Sequence, residues 1–121
     1  MIGVETTPSN DTYLSLQRGE RVTIAPPDTI ADGMRTTSPG AFTFPIVRQQ
    51  VEQVVLVSDE EVREAMRFLL LRLKLLVEPT GAVAAAAALT GQLRPFGRRV
   101  GVILSGGNVA PDVLAAVLAG A

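Results

Sequence analysis

Short apolar runs alternate with longer amphipathic stripes along the chain, and the alternation predicts strands and helices in turn. Met1–Val4 is apolar and rich in β-branched residues and stops at Glu5, which predicts a strand beginning almost at the first residue. Thr6–Thr12 is polar, with turn chemistry in Pro8, Ser9 and Asn10. Tyr13–Gln17 reads as a short helix ended by Gly19. Residues 20–42 are rich in Pro, Gly, Thr, Ser and Asp, with one apolar knot at Ile30, Ala31 and Met34. They are expected to form a long loop, and long loops usually carry function. Thr43–Val51 predicts a helix with Pro45 in its first turn, and Gln53–Val57 a buried strand.

Ser58-Asp59-Glu60-Glu61 is a capping box, with acids massed where the helix dipole favours them. Val62, Ala65, Met66, Leu69, Leu70, Leu73, Leu76 and Val77 follow at helical spacing and form the stripe of a helix packed on a sheet. Phe68, Leu71 and Leu75 lie off that stripe, so this helix is apolar on most sides toward its C-terminus. Another layer, another subunit or a deep core is expected to cover it. Glu78-Pro79-Thr80-Gly81 interrupts the pattern, and an alanine-rich helix runs over Gly81–Leu89, where Ala84–Ala88 permit close packing. Arg98–Leu104 predicts a further strand, running into Ser105-Gly106-Gly107-Asn108 and a last helix over Pro111–Leu118. Strands alternating with helices place the chain in the α/β class, with parallel pairings.

At 121 residues and 47% hydrophobic content the chain is one domain or part of one, with enough apolar residues for a core. A net charge of −1 gives no electrostatic footprint for nucleic acid or an anionic membrane as partner. Cysteine and histidine are absent, which removes disulfides, structural zinc sites, histidine-based triads and thiol nucleophiles from this sequence. The longest uncharged run, Pro79–Leu93, is shorter than the roughly 18–20 residues of a membrane span. The expectation is a soluble, cytoplasmic protein.

Four constellations can carry chemistry. The Ser105–Asn108 turn follows a strand, where open α/β sheets bind ligands; its glycines allow close approach, and Ser105 and Asn108 offer hydroxyl and amide dipoles. The same residues also make an ordinary strand-to-helix turn. Glu5 and Asp11 flank a Pro-Ser-Asn turn that can aim two carboxylates and a carbonyl at one magnesium or calcium ion, or can leave both acids in solvent. Asp32-Gly33, with Arg35, can bring backbone against a ligand face or simply form a turn. Glu78, after an apolar run and before Pro79, is expected at a helix end near the sheet, where it needs a partner or a ligand. Lys74 is the only lysine and falls mid-helix on this pattern, so no lysine stands at a strand end or in a loop.

Read in order, Glu5–Tyr13, PPDTIADGMR (Pro26–Arg35), FPIVRQQVEQVVLVSDEEVREAM (Phe44–Met66), RLKLLVEPTGA (Arg72–Ala82) and VGVILSGGNV (Val100–Val109) resemble the C-terminal portion of threonine/serine dehydratases. These, with serine racemases, are pyridoxal-phosphate enzymes of fold type II. The resemblance implies part of a doubly wound parallel sheet with flanking helices, residues 1–121 forming a single partial domain. It implies that Ser105 hydrogen-bonds the pyridine nitrogen, that Gly106, Gly107 and Asn108 shape that wall, and that Gly33 and Glu78 face the same pocket. It assigns Glu5, the Ser9 carbonyl and Asp11 to a divalent-cation site of the racemase-like branch.

Ala110 departs from the family pattern, which often has an acid there. The Schiff-base lysine, the substrate-carboxylate loop and the phosphate cup belong, in that family, to a more N-terminal portion, and none of them is found here. The implied parent reaction is loss of water and then ammonia from serine or threonine, a small amino-acid substrate, to give a 2-oxo acid. The chain is expected to be inactive alone and completed by an N-terminal half or by other copies. A serine racemase-like fragment, or a non-catalytic α/β binding module or subunit partner, is the alternative.

Overall fold

The computed structural model describes residues 1–93 and 99–120. Two parallel strands, β1 (Ile2–Thr6) and β2 (Gln53–Val57), pair in register from Ile2 opposite Gln53 to Thr6 opposite Val57. A parallel pair needs a long crossover. Here it contains α1 (Asp11–Arg18), a 3₁₀ turn at Asp32–Met34 and α2 (Phe44–Gln50). Gly19 ends α1 in the left-handed conformation, with φ +74°. The expected loop over residues 20–42 is irregular apart from that 3₁₀ turn.

The capping box opens α3 (Asp59–Phe68): the Ser58 hydroxyl accepts the Glu61 N–H at 3.2 Å and the Glu61 carboxylate accepts the Ser58 N–H at 2.6 Å. Ser58→Ala is expected to cost about 1 kcal/mol of stability, since the Glu61 N–H loses its acceptor. Urea unfolding with an unchanged slope measures that loss; a midpoint identical to wild type would mean the cap contributes nothing. α4 (Pro79–Leu89) packs on α3 and on both strands. Its Ala82, Val83, Ala85, Ala86 and Ala87 join Val55, Val57, Val62, Ala65, Met66 and Leu69 in one buried cluster. Small side chains at the contact let the two helices approach closely. α5 (Pro111–Ala119) is tied to α3 through Val117, which is buried and whose carbonyl accepts from Arg67 at 2.9 Å.

Two sequence expectations are corrected. The long helix does not run to Val77: α3 passes into a π turn at Leu69–Leu73 and stops at Lys74, which takes the left-handed conformation at φ +60°. Amides of Lys74 and Leu75 close the end on the Leu70 and Leu69 carbonyls. Lys74 is thus a helix terminator and not a mid-helix residue, held by a bond from its Nζ to the Leu71 carbonyl. Leu73 and Leu76, placed on the buried stripe by spacing, are each 52% exposed: Leu73 is turned off the stripe by the wider π turn, and Leu76 lies beyond the helix end.

The strand expected over Arg98–Leu104 does not form over its described residues, 99–104. Arg98 lies outside the described residues, and residues 99–104 make no ladder with β1 or β2. A strand requires a neighbouring backbone as well as an apolar run. This run and the start of β1 instead line a recess of about 340 Å³. With Phe68, Leu71, Leu73, Leu75, Leu76, Leu89 and Ile103 exposed, this part of the chain presents much uncovered apolar surface.

Candidate functional site

The N-terminal turn of α4 gathers the residues that the sequence singled out. Pro79 suits the first helical position, where its missing N–H is no loss, and Glu78 precedes it as the cap residue in extended conformation. The Glu78 N–H donates to the Gly106 carbonyl at 3.0 Å, so the Ser105–Asn108 turn is seated by backbone on this helix end.

Side chains are excluded where the two segments meet. A Cβ on Gly81 would stand 2.5 Å from the Gly106 carbonyl oxygen, one on Gly107 2.8 Å from the Leu76 carbonyl oxygen, and one on Gly106 2.8 Å from the Glu78 carboxyl carbon. Gly33 approaches the same helix end from the long loop. Its N–H is shared between the Thr80 hydroxyl at 3.0 Å and the Asp32 carboxylate at 2.9 Å.

Two recesses flank this junction. One of about 280 Å³ is lined by Ser105 with Met34, Thr80, Val83 and residues of β1. The other, of about 380 Å³, is lined by Glu78 and Asn108 with Asp32, Arg35, Val109 and Ala110. The predicted set of Ser105, Gly106, Gly107, Asn108, Gly33 and Glu78 therefore converges on one helix end: Ser105 lines one recess, Glu78 and Asn108 line the other, and the three glycines lie at the junction without lining either. Ser105 and Asn108 are exposed, whereas Glu78 is half-buried. Lys74 lines neither recess.

Thr80, which sequence reasoning passed over within the EPTGA segment, holds Gly33 in place. Its only sequence signal is a hydroxyl residue next to a helix-starting proline.

Glu5, Ser9 and Asp11 form a second, buried group at the end of β1 and the start of α1. Both Glu5 oxygens cap α1, accepting N–H groups from Thr12 at 3.1 Å and Tyr13 at 2.8 Å. The Ser9 hydroxyl donates to the Met34 carbonyl, and the Thr36 hydroxyl lies 3.5 Å from Asp11 Oδ1. Burial raises the pKa of Glu5 from its ordinary value, and the charge of Asp11 nearby adds to the rise; burial likewise raises Asp11. Among the described residues neither acid has a basic side chain within ion-pairing distance, both ion pairs being made by Glu60.

Residues 1–106 match the family described as "Pyridoxal-phosphate dependent enzyme". The chain is 44% identical over 120 residues to an L-threo-3-hydroxyaspartate ammonia-lyase of a Pseudomonas species, covering 99% of this chain and 38% of that protein. It is 42% identical to the serine racemase of Schizosaccharomyces pombe over 88% of this chain and 33% of that protein. Among solved structures, the threonine deaminase of T.th. superposes with a TM-score of 0.80 at 42% identity, over 90% of this chain and 39% of that one. Maize serine racemase gives a TM-score of 0.85 at 33% identity, over 98% and 38%. The chain thus spans less than two-fifths of these proteins, yet nearly all of it is accounted for by them. Its α/β architecture, its glycine-lined junction at the start of α4 and this matching together place the chain in the pyridoxal-phosphate-dependent enzyme family.

Proposed function

We propose that residues 1–121 are one partial domain of a threonine/serine dehydratase-like enzyme, and that they supply the wall against which the pyridine end of pyridoxal phosphate lies. One observation carries the reading: the glycine-lined contact of Gly81 with Gly106 and of Gly107 with Leu76 brings backbone together without side chains and leaves the Ser105 hydroxyl exposed at the edge of a recess. A flat ring stacked near backbone, with a hydroxyl as partner for its nitrogen, fits that shape and chemistry. Ser105 would hold the ring nitrogen from its recess, Gly33, Gly106 and Gly107 would lie along the junction beside the ring, and Asn108 and Glu78 would face it from the adjoining recess. The cofactor supplies an electron sink for a carbanion at the substrate α-carbon. Ser105, as a neutral hydroxyl partner, would carry no charge to hold a full proton on that nitrogen, which would suit elimination of a β-hydroxyl.

The amine that anchors the cofactor would come from outside these recesses, whose lining holds no lysine. The exposed apolar residues around the π turn and residues 100–103 are the surface on which the remaining portion of such an enzyme packs.

Glu5, the Ser9 carbonyl and Asp11 are hard oxygen donors, and two neighbouring buried carboxylates with no counter-charge among the described residues fit magnesium or calcium. This group favours the serine racemase-like branch as the second reading.

A chimaera tests the proposal. The 121 residues replace the matching segment of the Geobacter sulfurreducens L-threonine ammonia-lyase, to which they are 42% identical over 118 residues. The chimaera is expected to release 2-oxo acid from L-threonine, and Ser105→Ala to lower that rate about tenfold, the equivalent of ~1.4 kcal/mol. A folded chimaera that takes up pyridoxal phosphate but releases none would overturn the reading.

A further inference from the structure

We propose that Thr29 and Asp59 form a strut that positions Gly33 at the wall described above, an inference that rests on the cofactor reading of that wall. Asp59 is the first residue of α3, and its acidity already suits a helix N-terminus. Its side chain also reaches across thirty residues of sequence to the long loop. Asp59 Oδ1 accepts the Thr29 hydroxyl at 2.5 Å, and Oδ2 accepts the Ile30 N–H at 3.0 Å. Charged acceptors make the stronger hydrogen bonds, and here both oxygens are used on one loop.

Every polar group of Thr29 other than its N–H has a bond as well. The hydroxyl accepts the Ala31 N–H at 3.2 Å, and the carbonyl accepts Arg35 Nε at 3.0 Å and Nη2 at 2.7 Å. Thr29 is 2% exposed and Ala31 fully buried, so this is a packed anchor and not a surface contact. From it the chain turns once, the Met34 N–H closing on the Ala31 carbonyl at 2.9 Å, and delivers the Gly33 N–H to Thr80. The far side of the turn is held by the Ser9 hydroxyl on the Met34 carbonyl. Gly33 is therefore suspended between two clamps, and the Asp59 clamp belongs to α3, whose Val62, Ala65 and Met66 are buried in the core.

Thr29 and Asp59 touch neither recess, so they act through Gly33 as positioning residues. The test is amide NMR of the full chain, uniformly labelled with nitrogen-15, reading the Gly33 resonance and its solvent exchange. Thr29→Val keeps the shape and removes the hydroxyl. It is expected to shift the Gly33 resonance and speed its exchange about tenfold, while the Val55 and Val62 amides stay as in wild type. Thr29→Ser, which keeps the hydroxyl, is expected to restore the wild-type values.

An unchanged Gly33 in folded Thr29→Val, failure of Thr29→Ser to restore it, or equal loosening of Gly33 and the core amides would each overturn the strut. Should Thr29→Val not fold, Asp59→Asn is read by the same criterion, because an amide has one acceptor oxygen and cannot take both bonds. No cofactor is needed for this readout. A failed strut leaves the cofactor reading standing, and an inactive chimaera leaves the strut standing.

Discussion

Gly81→Ala is expected to destabilise the chain by about 2 kcal/mol, although the residue lies in a helix where alanine is the better helix former. Two effects oppose each other. Alanine in place of glycine within a helix gains about 1 kcal/mol. Against this, the added methyl carbon would stand 2.5 Å from the Gly106 carbonyl oxygen, 2.9 Å from its nitrogen and 2.9 Å from Val77 Cγ1. Two of those three atoms are backbone and cannot rotate away. Overpacking of this kind costs roughly 1–3 kcal/mol, and the upper end applies where backbone must move. Steric cost therefore wins, and the melting temperature is expected to fall by roughly 8 °C, at about 4 °C per kcal/mol for a chain of this size.

Gly101→Ala is the control, because nothing lies within 4 Å of its added carbon and its melting point should stay near wild type. Circular-dichroism melting of both variants decides the matter. A neutral or stabilising Gly81→Ala would mean that the Ser105–Asn108 turn does not rest on α4. The same displacement moves Ser105, so the glycine that permits the contact also sets where the hydroxyl stands.

Local signals in the sequence read correctly where the physics is local. β2 runs over Gln53–Val57 as its apolar run predicts, and the capping box opens α3 where Ser58 and Glu61 place it. Two errors arise where the outcome depends on something further away. No glycine, proline or asparagine marks the end at Lys74, and leucine spacing continues past it, so periodicity carries the helix too far, into Val77. Val100–Leu104 has the apolar run of a strand, but pairing belongs to two segments at once, and the sequence of one does not disclose the other.

The site divides the same way. Ser105, Glu78 and Gly33 stand out through the order of their motifs, and the structure gathers them at one helix end. Thr80, Thr29 and Asp59 do not stand out as site residues. Their contacts join positions 47 and 30 residues apart, and Asp59 has an adequate local explanation as a helix-dipole acid.

For Glu5 and Asp11, the stability of the chain is expected to depend on pH with one sign without divalent cation and the opposite sign with it. Both carboxyl groups have pKa values raised in the folded chain, chiefly by burial, with the Asp11 charge adding to the rise at Glu5. A raised folded pKa means that the folded chain binds more protons than the unfolded chain between the two values, so stability falls as pH rises through that window. The contribution is fully present below the ordinary carboxylate range and is lost by the time both groups are charged. On the proposed cation site, magnesium or calcium is expected to reverse the balance, since an ion bound to the charged pair gains affinity as the protons leave.

At a cation concentration one hundred times the dissociation constant the gain is about 2.7 kcal/mol, and above the carboxylate range the curve with cation should lie over the curve without it. Glu5→Gln is expected to abolish the cation-dependent gain and to flatten the cation-free slope, because Glu5 no longer titrates and only the burial-raised Asp11 still contributes. Its own cost is about 1 kcal/mol, since an amide cannot accept both the Thr12 and the Tyr13 N–H. Thermal unfolding across mildly acidic to neutral pH, with calcium, with magnesium and with chelator, measures all of these quantities. Parallel curves for wild type with and without cation would show that the two buried acids are helix-capping and loop-anchoring groups with no ion between them.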